Sequence, residues 1–270
     1  MLVAAIQLNS TKDYSVNMSE AKRWVECAVK KHARLILLPE MFACIGVSNQ
    51  IELAKNYFTI DKLEKTIGQW AKQYDVYIVA GSLPFCSSVE GKVYAASFVF
   101  SPNGEIIAQY NKIHLFDVSV EDEKGQYRES ETFLAGTDPV TTEIDQHKLG
   151  LSICYDIRFP ELFQDYQQQG CDLITVPSAF TYKTGKMHWK TLLKARAIET
   201  QSFVIAANQC GVHQDGRRTW GHSMIISPQG EVLDEVATNL PGVAVADLDF
   251  TEMAKIRASM PLLSHKRLIR

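Results

Sequence analysis

Long apolar runs are absent from this chain of 270 residues. No stretch approaches the roughly 20 apolar residues that a membrane-spanning helix needs. Met1 is followed by a short apolar run at 2–6, without the basic segment and cleavage site that are typical of a secretory signal. The sequence therefore predicts a cytoplasmic protein that does not interact with membranes.

Runs of a single charge sign are also missing. The formal net charge is -3, the sequence pI is about 6.2, and no run of Lys and Arg is longer than two residues. Proteins that bind nucleic acid normally carry a basic patch or stripe. We therefore expect no nucleic-acid partner, and a small molecule is the favoured ligand.

Paired cysteine spacings and cofactor motifs are lacking as well. Six cysteines are scattered along the chain, and a cytoplasmic protein keeps such thiols reduced. The sequence has no metal-binding signature, no glycine-rich phosphate loop and no dinucleotide-binding fingerprint. We expect neither a metal ion nor an organic cofactor.

A weak internal repeat is present. The segment 35–42 is an apolar strand that ends at a proline, and it returns as 173–180. The hairpin pattern of 97–105, with Pro and Gly in its turn, returns as 223–231. Short apolar strands can resemble one another by chance, but the recurrence of the elements in order favours two related halves.

The order of these elements predicts an α/β fold. The strand at 2–7 aligns with 149–154, whereas the segment from 112 to 147 has no counterpart and is a candidate functional insertion. Amphipathic helical patterns lie between the strands, near residues 18–29, 61–74, 160–168 and 187–201. Nearly continuous apolar strands need cover on both faces. We expect a four-layer α-β-β-α sandwich of two pseudo-repeated halves, in one domain spanning 1–270.

Cys154 is the first candidate for chemistry. It ends the apolar run 149–153, and Pro160 then begins a helix, so the thiol lies at a turn between strand and helix. Backbone N–H groups at such a turn can bind an oxyanion. Taken alone, a cysteine after a strand is more often structural.

Glu40 and Lys112 are the other two candidates. Glu40 ends the run 35–39, the strand that the repeat places beside the one that ends in Cys154. A carboxylate there could take the proton of the thiol if it lies within hydrogen-bond reach. Lys112 opens the unrepeated insertion. Each of the two would by itself be read as a solvated surface charge.

Together these residues carry a resemblance to a known family. The stretches Leu38-Pro39-Glu40, Lys112-Ile113-His114-Leu115-Phe116 and Ile153 to Glu161 are similar, in this order, to the three catalytic motifs of the nitrilase superfamily. The resemblance continues through 177–180, 188–189, 195–201 and 221–224, so that it covers nearly the whole chain.

The resemblance implies a role for each matching residue. Cys154 would be the nucleophile, Glu40 the general base, and Lys112 the cation that stabilises the oxyanion together with the backbone N–H of Tyr155. Glu129 matches a second glutamate that orders the site. The reaction would be hydrolysis of an amide through a thioester. Among the aromatic residues, Phe116 and Phe180 each follow a motif at a strand end and are the expected pocket walls.

Other chemistry fits the sequence less well. A papain-like Cys-His pair could use His114, His188 or His222, but no matching pattern surrounds Cys154. The stretch 221–223 begins like a serine-hydrolase elbow and lacks its second glycine. A non-catalytic scaffold that binds a partner would be expected to have lost at least one residue of the triad.

Within the superfamily the chain is most similar to the Nit amidases, which act on amides of keto acids. Two branches stay open: hydrolysis of deaminated glutathione to 2-oxoglutarate and cysteinylglycine, and omega-amidase action on 2-oxoglutaramate. The stretches 199–201 and 208–211 favour the first. Hydrolysis of nitriles or N-carbamoyl groups is a weaker alternative. The resemblance also implies a homodimer formed through helices at 160–168 and 187–201.

Overall fold

Two β-sheets, one from each half of the sequence, stack face to face. The computed structural model describes residues 1–120, 122 and 125–268. The strands are β1 (Leu2–Gln7), β2 (Leu35–Leu37), β3 (Tyr77–Val79), β4 (Leu83–Cys86), β5 (Val93–Phe100), β6 (Ile106–Asn111), β7 (Asp117–Ser119), β8 (Gln126–Arg128), β9 (Thr141–Ile144), β10 (His147–Leu151), β11 (Leu173–Thr175), β12 (Phe203–Ala206), β13 (Cys210–Val212), β14 (Arg218–Trp220), β15 (Met224–Ile226), β16 (Val232–Glu235) and β17 (Gly242–Asp247).

The helices are α1 (Tyr14–Lys30), α2 (Gln50–Tyr57), α3 (Ile60–Leu63), α4 (Gln69–Tyr74), α5 (Pro160–Gln168), α6 (Tyr182–Thr200), α7 (Phe250–Ser259) and α8 (Leu262–His265). A π-helical turn at Glu64–Gly68 joins α3 to α4, and 3-10 turns span Glu129–Glu131 and Cys154–Arg158. None of the helices among residues 1–120, 122 and 125–268 is both long and apolar enough to cross a membrane.

The two sheets repeat one topology. In the first, β1, β2 and β3 are parallel neighbours followed by the antiparallel strands β5 and β6; in the second, β10, β11 and β12 are followed by β15 and β16. The two hairpin turns also have the same hydrogen-bond pattern. Gly104 N donates to Ser101 O at 2.8 Å, and Gly230 N donates to Ser227 O at 2.8 Å. The predicted repeat is therefore confirmed.

Alternating side chains of each strand build the layers. Leu35 and Leu37 point into the space between the sheets, where they belong to one buried cluster with Leu149 and Leu151. Ile36 points the other way, against the face of α1. Helices α5 and α6 cover the outer face of the second sheet. Burial of each such side chain stabilises the fold by about 1.5–3 kcal/mol. The result is the four-layer α-β-β-α sandwich that the sequence predicts.

The helix predictions succeed where an apolar stripe is present. Helix α1 begins after Asp13, whose side chain accepts a hydrogen bond from Val16 N at 3.1 Å, and it buries Met18, Ala21 and Val25 on the sheet. Helix α5 spans the predicted 160–168. Helix α2 was not predicted, because only two of its residues are buried and its apolar stripe is short.

One expectation about the strands is wrong. The strand before Glu40, β2, does not lie beside the strand before Cys154, β10, because β2 lies in the first sheet and β10 in the second. The ends of the two strands still meet, since stacked halves of the same topology bring equivalent strand ends to the same end of the sandwich. The insertion 112–147 contributes β7, β8 and β9; its residues 121, 123 and 124 lie outside the described residues.

Gly81 fixes the backbone just before Glu40. It has a positive φ of 31°, and a Cβ added there would lie 1.9 Å from Pro39 O. We expect Gly81→Ala to lower the free energy of unfolding by about 3 kcal/mol, from the clash and from the unfavourable φ together. Chemical denaturation measures this loss.

Gly91→Ala is the matched control for this substitution. Gly91 has a φ of 78°, and nothing lies within 4 Å of an added Cβ. It carries the φ penalty alone, about 1 kcal/mol. Equal losses for the two variants would contradict the close contact between Gly81 and Pro39.

Candidate active site

Cys154 lies at a strained turn. Its φ is 47°, in the left-handed region that costs a non-glycine residue about 1–2 kcal/mol. Its N–H donates to Pro177 O at 2.9 Å, and the 3-10 turn Cys154–Arg158 begins directly at this residue. The first N–H groups of a helical turn have no partner within the turn. The N–H of Tyr155 is therefore free of the turn's own hydrogen bonds and lies next to the thiol.

Glu40, Lys112 and Glu129 form one buried ionic cluster. Lys112 Nζ donates to Glu40 Oε1 at 2.8 Å and to Glu129 Oε1 and Oε2 at 2.9 Å each. The Lys112 side chain is 1% exposed. The Cys154 thiol is buried and lines the same cavity as these three side chains, and the charges of Glu40 and Lys112 act on its pKa. Four predicted site residues, drawn from both halves and the insertion, thus meet at one point.

The charges in this cluster set the protonation states. Burial disfavours the ammonium of Lys112, but the carboxylates of Glu129 and Glu40 outweigh burial and hold its pKa well above the ordinary value. Burial raises the pKa of Glu129. Burial, followed by the negative charge of Glu40, raises the pKa of the Cys154 thiol well above its ordinary value. The resting nucleophile is therefore a neutral thiol beside a carboxylate.

Backbone groups and a buried amide hold Glu40 in place. Its Oε2 accepts a hydrogen bond from Ala179 N at 2.7 Å, and its carbonyl oxygen accepts one from Gln209 Nε2 at 3.0 Å. Gln209 also binds Ser10 through both ends of its amide. Sequence reasoning missed Gln209 as a site residue, although it lies in the stretch 208–211 that was used to compare branches.

The cluster opens into a cavity of about 790 Å³. All seven residues proposed from the sequence line it, namely Glu40, Lys112, Phe116, Glu129, Cys154, Tyr155 and Phe180. The rings of Phe116 and Tyr155 pack edge to face, with centroids 5.0 Å apart. Among the described residues, no group of three His, Cys, Asp or Glu side chains is arranged to hold a metal ion.

The histidines of the rival Cys-His mechanism are engaged elsewhere. His114 Nδ1 lies 2.8 Å from Asp156 Oδ1, and His222 Nδ1 lies 2.7 Å from Glu235 Oε1. His188 Nδ1 faces the guanidinium of Arg158 at 3.3 Å. None of these three side chains lines the cavity that contains Cys154. The geometry thus places a carboxylate, rather than an imidazole, next to the thiol.

Comparison with known proteins agrees with this geometry. The sequence profile described as carbon-nitrogen hydrolase matches residues 2–258. This chain belongs to the carbon-nitrogen hydrolase family. It is therefore a hydrolase that acts on carbon-nitrogen bonds other than peptide bonds, with the nitrilase-type fold.

The relatives of this carbon-nitrogen hydrolase include several amidases. Deaminated glutathione amidase of Synechocystis is 42% identical over 98% of this chain and 97% of its own length. Human omega-amidase NIT2 is 34% identical, over 98% of this chain and 94% of its own. The crystal structure of the Caenorhabditis elegans NitFhit protein superposes with a TM-score of 0.89 at 36% identity, and covers 98% of this chain and 65% of NitFhit.

Asp156 connects the stretch that contains Lys112 to the turn that carries Cys154. It is fully buried, and its Oδ2 accepts hydrogen bonds from Ile153 N at 2.8 Å and from Tyr110 Oη at 2.7 Å. Its Oδ1 accepts from His114 N at 3.0 Å. One carboxylate thus ties the side chain of Tyr110 and the backbone of His114, on either side of Lys112, to the turn that carries Cys154. Asp156 lies inside the quoted motif, but no signal in the sequence shows that it is buried.

We expect Asp156→Asn to weaken both the fold and turnover. The amide nitrogen of Asn must face at least one of the N–H or O–H donors, and a hydrogen bond to a charged group contributes about 1.5–3 kcal/mol. The unfolding midpoint and the kcat on any amide that wild type cleaves measure the two losses. Asp165→Asn is the control, because the Asp165 carboxylate accepts an exposed hydrogen bond from Gln169. A wild-type kcat in Asp156→Asn would contradict the connecting role.

Proposed function

We propose that this protein is an amidase with a Cys154-Glu40-Lys112 triad and that its substrate is deaminated glutathione. The observation that carries the proposal is the buried contact of Lys112 with Glu40 and Glu129 beside the thiol of Cys154. These are the groups that attack on an amide requires: a nucleophile, a base beside it in the same cavity, and a fixed cation for the developing oxyanion.

Acylation begins with transfer of the thiol proton to Glu40 as Sγ of Cys154 attacks the amide carbon. The carbonyl oxygen becomes an oxyanion, which Lys112 Nζ and the N–H of Tyr155 stabilise. Lys112 carries three N–H donors, so either of its contacts with Glu129 can be exchanged for the oxyanion. The carbon-nitrogen bond then breaks, Glu40 returns the proton to the leaving nitrogen, and a thioester remains on Cys154.

Deacylation uses the same groups with water. The Glu40 carboxylate takes a proton from the water as its oxygen attacks the thioester carbon, and Lys112 again faces the oxyanion. The carbon-sulfur bond breaks, the acid leaves, and the proton on Glu40 returns to the sulfur. Because burial favours the neutral thiol, each cycle ends in the state in which it began. Glu129 keeps Lys112 charged throughout.

Two observations support deaminated glutathione over 2-oxoglutaramate. The relative at 42% identity is named deaminated glutathione amidase, whereas the omega-amidase is 34% identical. The cavity of about 790 Å³ also leaves room for a dipeptide leaving group, which 2-oxoglutaramate lacks. Omega-amidase activity is the second candidate function, and a non-catalytic scaffold is the third.

A parallel assay of the two keto-acid amides tests this proposal. We expect wild type to release cysteinylglycine from deaminated glutathione faster than it releases ammonia from 2-oxoglutaramate. Cys154→Ala is expected to do neither, and Glu40→Gln to lower kcat by about 10²- to 10⁴-fold. Mass spectrometry of acid-quenched enzyme is expected to find the acyl group on Cys154.

Cys86→Ala is the control, because Cys86 is exposed on β4 and lies outside the cavity. If wild type releases ammonia from 2-oxoglutaramate faster than cysteinylglycine from deaminated glutathione, the protein is an omega-amidase instead. Turnover that survives in Cys154→Ala would contradict the proposed nucleophile. An absence of activity on every amide would favour the scaffold.

We also propose that the protein is a homodimer through α5 and α6. Met187 and Ile198 on α6 are 55% and 49% exposed, and a second chain packed on this helix would bury them. We expect sedimentation velocity to give a species of twice the 30.4 kDa chain mass and Met187→Lys to weaken it. Leu240→Lys, at an apolar residue 68% exposed outside these helices, is the control. A monomer at micromolar wild-type concentration would contradict the dimer.

A further inference from the structure

Two cations besides Lys112 line the cavity, the exposed Arg128 and the largely buried Arg217. Arg217 lies at the tip of the hairpin formed by β13 and β14, and its side chain is 13% exposed. No feature of the sequence marked it as a site residue. The mechanism above does not use it, so its presence in the cavity calls for another role.

The guanidinium of Arg217 leaves most of its donors unused. Its Nε is buried and has no hydrogen-bond partner in the described part of the chain. Its Nη2 lies 3.6 Å from Asp215 Oδ2, beyond hydrogen-bond length, and its Nη1 lies 3.9 Å from the weak acceptor Met41 Sδ. A buried donor that lacks a partner costs about 1–3 kcal/mol. Such a group calls for an acceptor that the chain itself does not supply.

Two other arginines, the buried Arg196 and the partly buried Arg257, have hydrogen-bond partners within the chain. Arg196 Nε donates to Ile157 O at 2.8 Å, and its Nη1 donates to Glu199 Oε1 at 2.7 Å. Arg257 donates to Gln201 O at 3.0 Å and to Asp172 Oδ1 at 2.8 Å. These two arginines hold the fold together and do not line the cavity. Arg217 lines the cavity and lacks comparable partners.

The hairpin tip is held firmly in place. His213 is buried, with Nδ1 at 2.9 Å from Ser10 O and Nε2 at 2.7 Å from Thr219 Oγ1. Asp215 packs so closely on Gly46 that a Cβ added to Gly46 would lie 2.9 Å from it. The Arg217 guanidinium also lies over the ring of Tyr127, 5.6 Å from its centroid. A site prepared in this way loses little conformational entropy when a ligand binds.

We propose that Arg217 binds a carboxylate of the substrate and thereby selects anionic amides. The inference deepens the proposed function and rests on it, because the keto-acid amides considered there carry carboxylates. A planar guanidinium with free donors matches a carboxylate through two parallel hydrogen bonds. Lys112 does not take this role, because in the proposed mechanism its ammonium faces the oxyanion at the scissile carbonyl and is paired with Glu40 and Glu129. The carboxylate of Asp215 is bound to the backbone of its own loop, since its Oδ1 accepts a hydrogen bond from Arg217 N at 3.1 Å.

Calorimetry on Cys154→Ala protein tests the proposal without turnover. Deaminated glutathione is titrated into Cys154→Ala and into the double variant Cys154→Ala/Arg217→Gln. Loss of a charged hydrogen-bonded pair is expected to raise Kd roughly 10- to 100-fold. Arg218→Gln in the same background is the matched control, because it makes the same charge change one residue away and does not line the cavity.

Two further ligands identify which carboxylate Arg217 binds. 2-Oxoglutaramate carries the keto-acid carboxylate alone, and deaminated glutathione amidated at its glycine lacks the terminal one. If Arg217→Gln raises the Kd of both of these ligands, Arg217 binds the keto-acid carboxylate. If it raises the Kd of deaminated glutathione alone, Arg217 binds the carboxylate of the dipeptide. Equal Kd values for the Arg217 and Arg218 variants on all three ligands, or no binding to the Cys154→Ala protein, would overturn the proposal.

Steady-state kinetics separates this result from failure of the proposed function. Arg217→Gln in the active enzyme is expected to raise KM at least roughly tenfold while kcat changes much less, because Arg217 touches no reacting atom. If wild type cleaves neither keto-acid amide but binds them, and Arg217→Gln weakens that binding more than Arg218→Gln does, the substrate assignment has failed and the carboxylate site stands. If wild type cleaves them and Arg217→Gln leaves KM unchanged, the carboxylate site has failed and the amidase stands.

Discussion

The site depends on one buried ammonium held between two carboxylates. Removing Lys112 from water is unfavourable, and only its short contacts with Glu40 and Glu129 compensate for that cost. Loss of one partner would leave a charge buried without compensation. The same contacts fix the distance between the carboxylate of Glu40 and the ammonium of Lys112, which are the base and the cation of the proposed mechanism. The contacts that stabilise the buried charge of Lys112 are therefore also the contacts that the proposed mechanism uses.

The stacked halves explain how such a cluster can form from distant parts of the chain. In the internal repeat, Cys154 corresponds to Gln7, and Glu40 corresponds to Ser178. Gln7 lies at the end of β1 and uses its amide to bind Thr238 O, Leu240 O and Ser223 N. Of these two equivalent strand ends, the one at Gln7 holds the fold together and the one at Cys154 carries the proposed nucleophile. The residue after Ser178, Ala179, donates its N–H to Glu40, so each half supplies one side of the site.

Sequence reasoning reached the fold because periodicity and repetition depend on local sequence. The apolar strands at 35–37 and 173–175 and the stripe of α1 report burial directly. The triad positions became convincing only with three motifs in order, and Glu129 came from the resemblance alone, since a glutamate in an insertion has no distinguishing pattern. The prediction that β2 and β10 are neighbours in one sheet was wrong. A sequence repeat shows which strands are equivalent, but it does not show whether the two halves share a sheet. Arg217 and Asp156 could not be found, because an unmet hydrogen-bond donor and a buried carboxylate are properties of the packed structure.

The neutral state of Cys154 places a constraint on how the chemistry proceeds. A free thiolate would be a stronger nucleophile, yet a thiolate beside Glu40 would add a negative charge to a cluster that already holds two carboxylates and one ammonium. Burial and Glu40 both oppose that charge. In the proposed mechanism, negative charge therefore develops on sulfur only as the proton moves to Glu40 and the substrate oxygen approaches Lys112. Because the oxyanion would form beside the same ammonium, charge would be moved within the cluster rather than added to it. The proposed mechanism thus couples proton transfer to attack, and the thiol is activated only when a carbonyl group occupies the site.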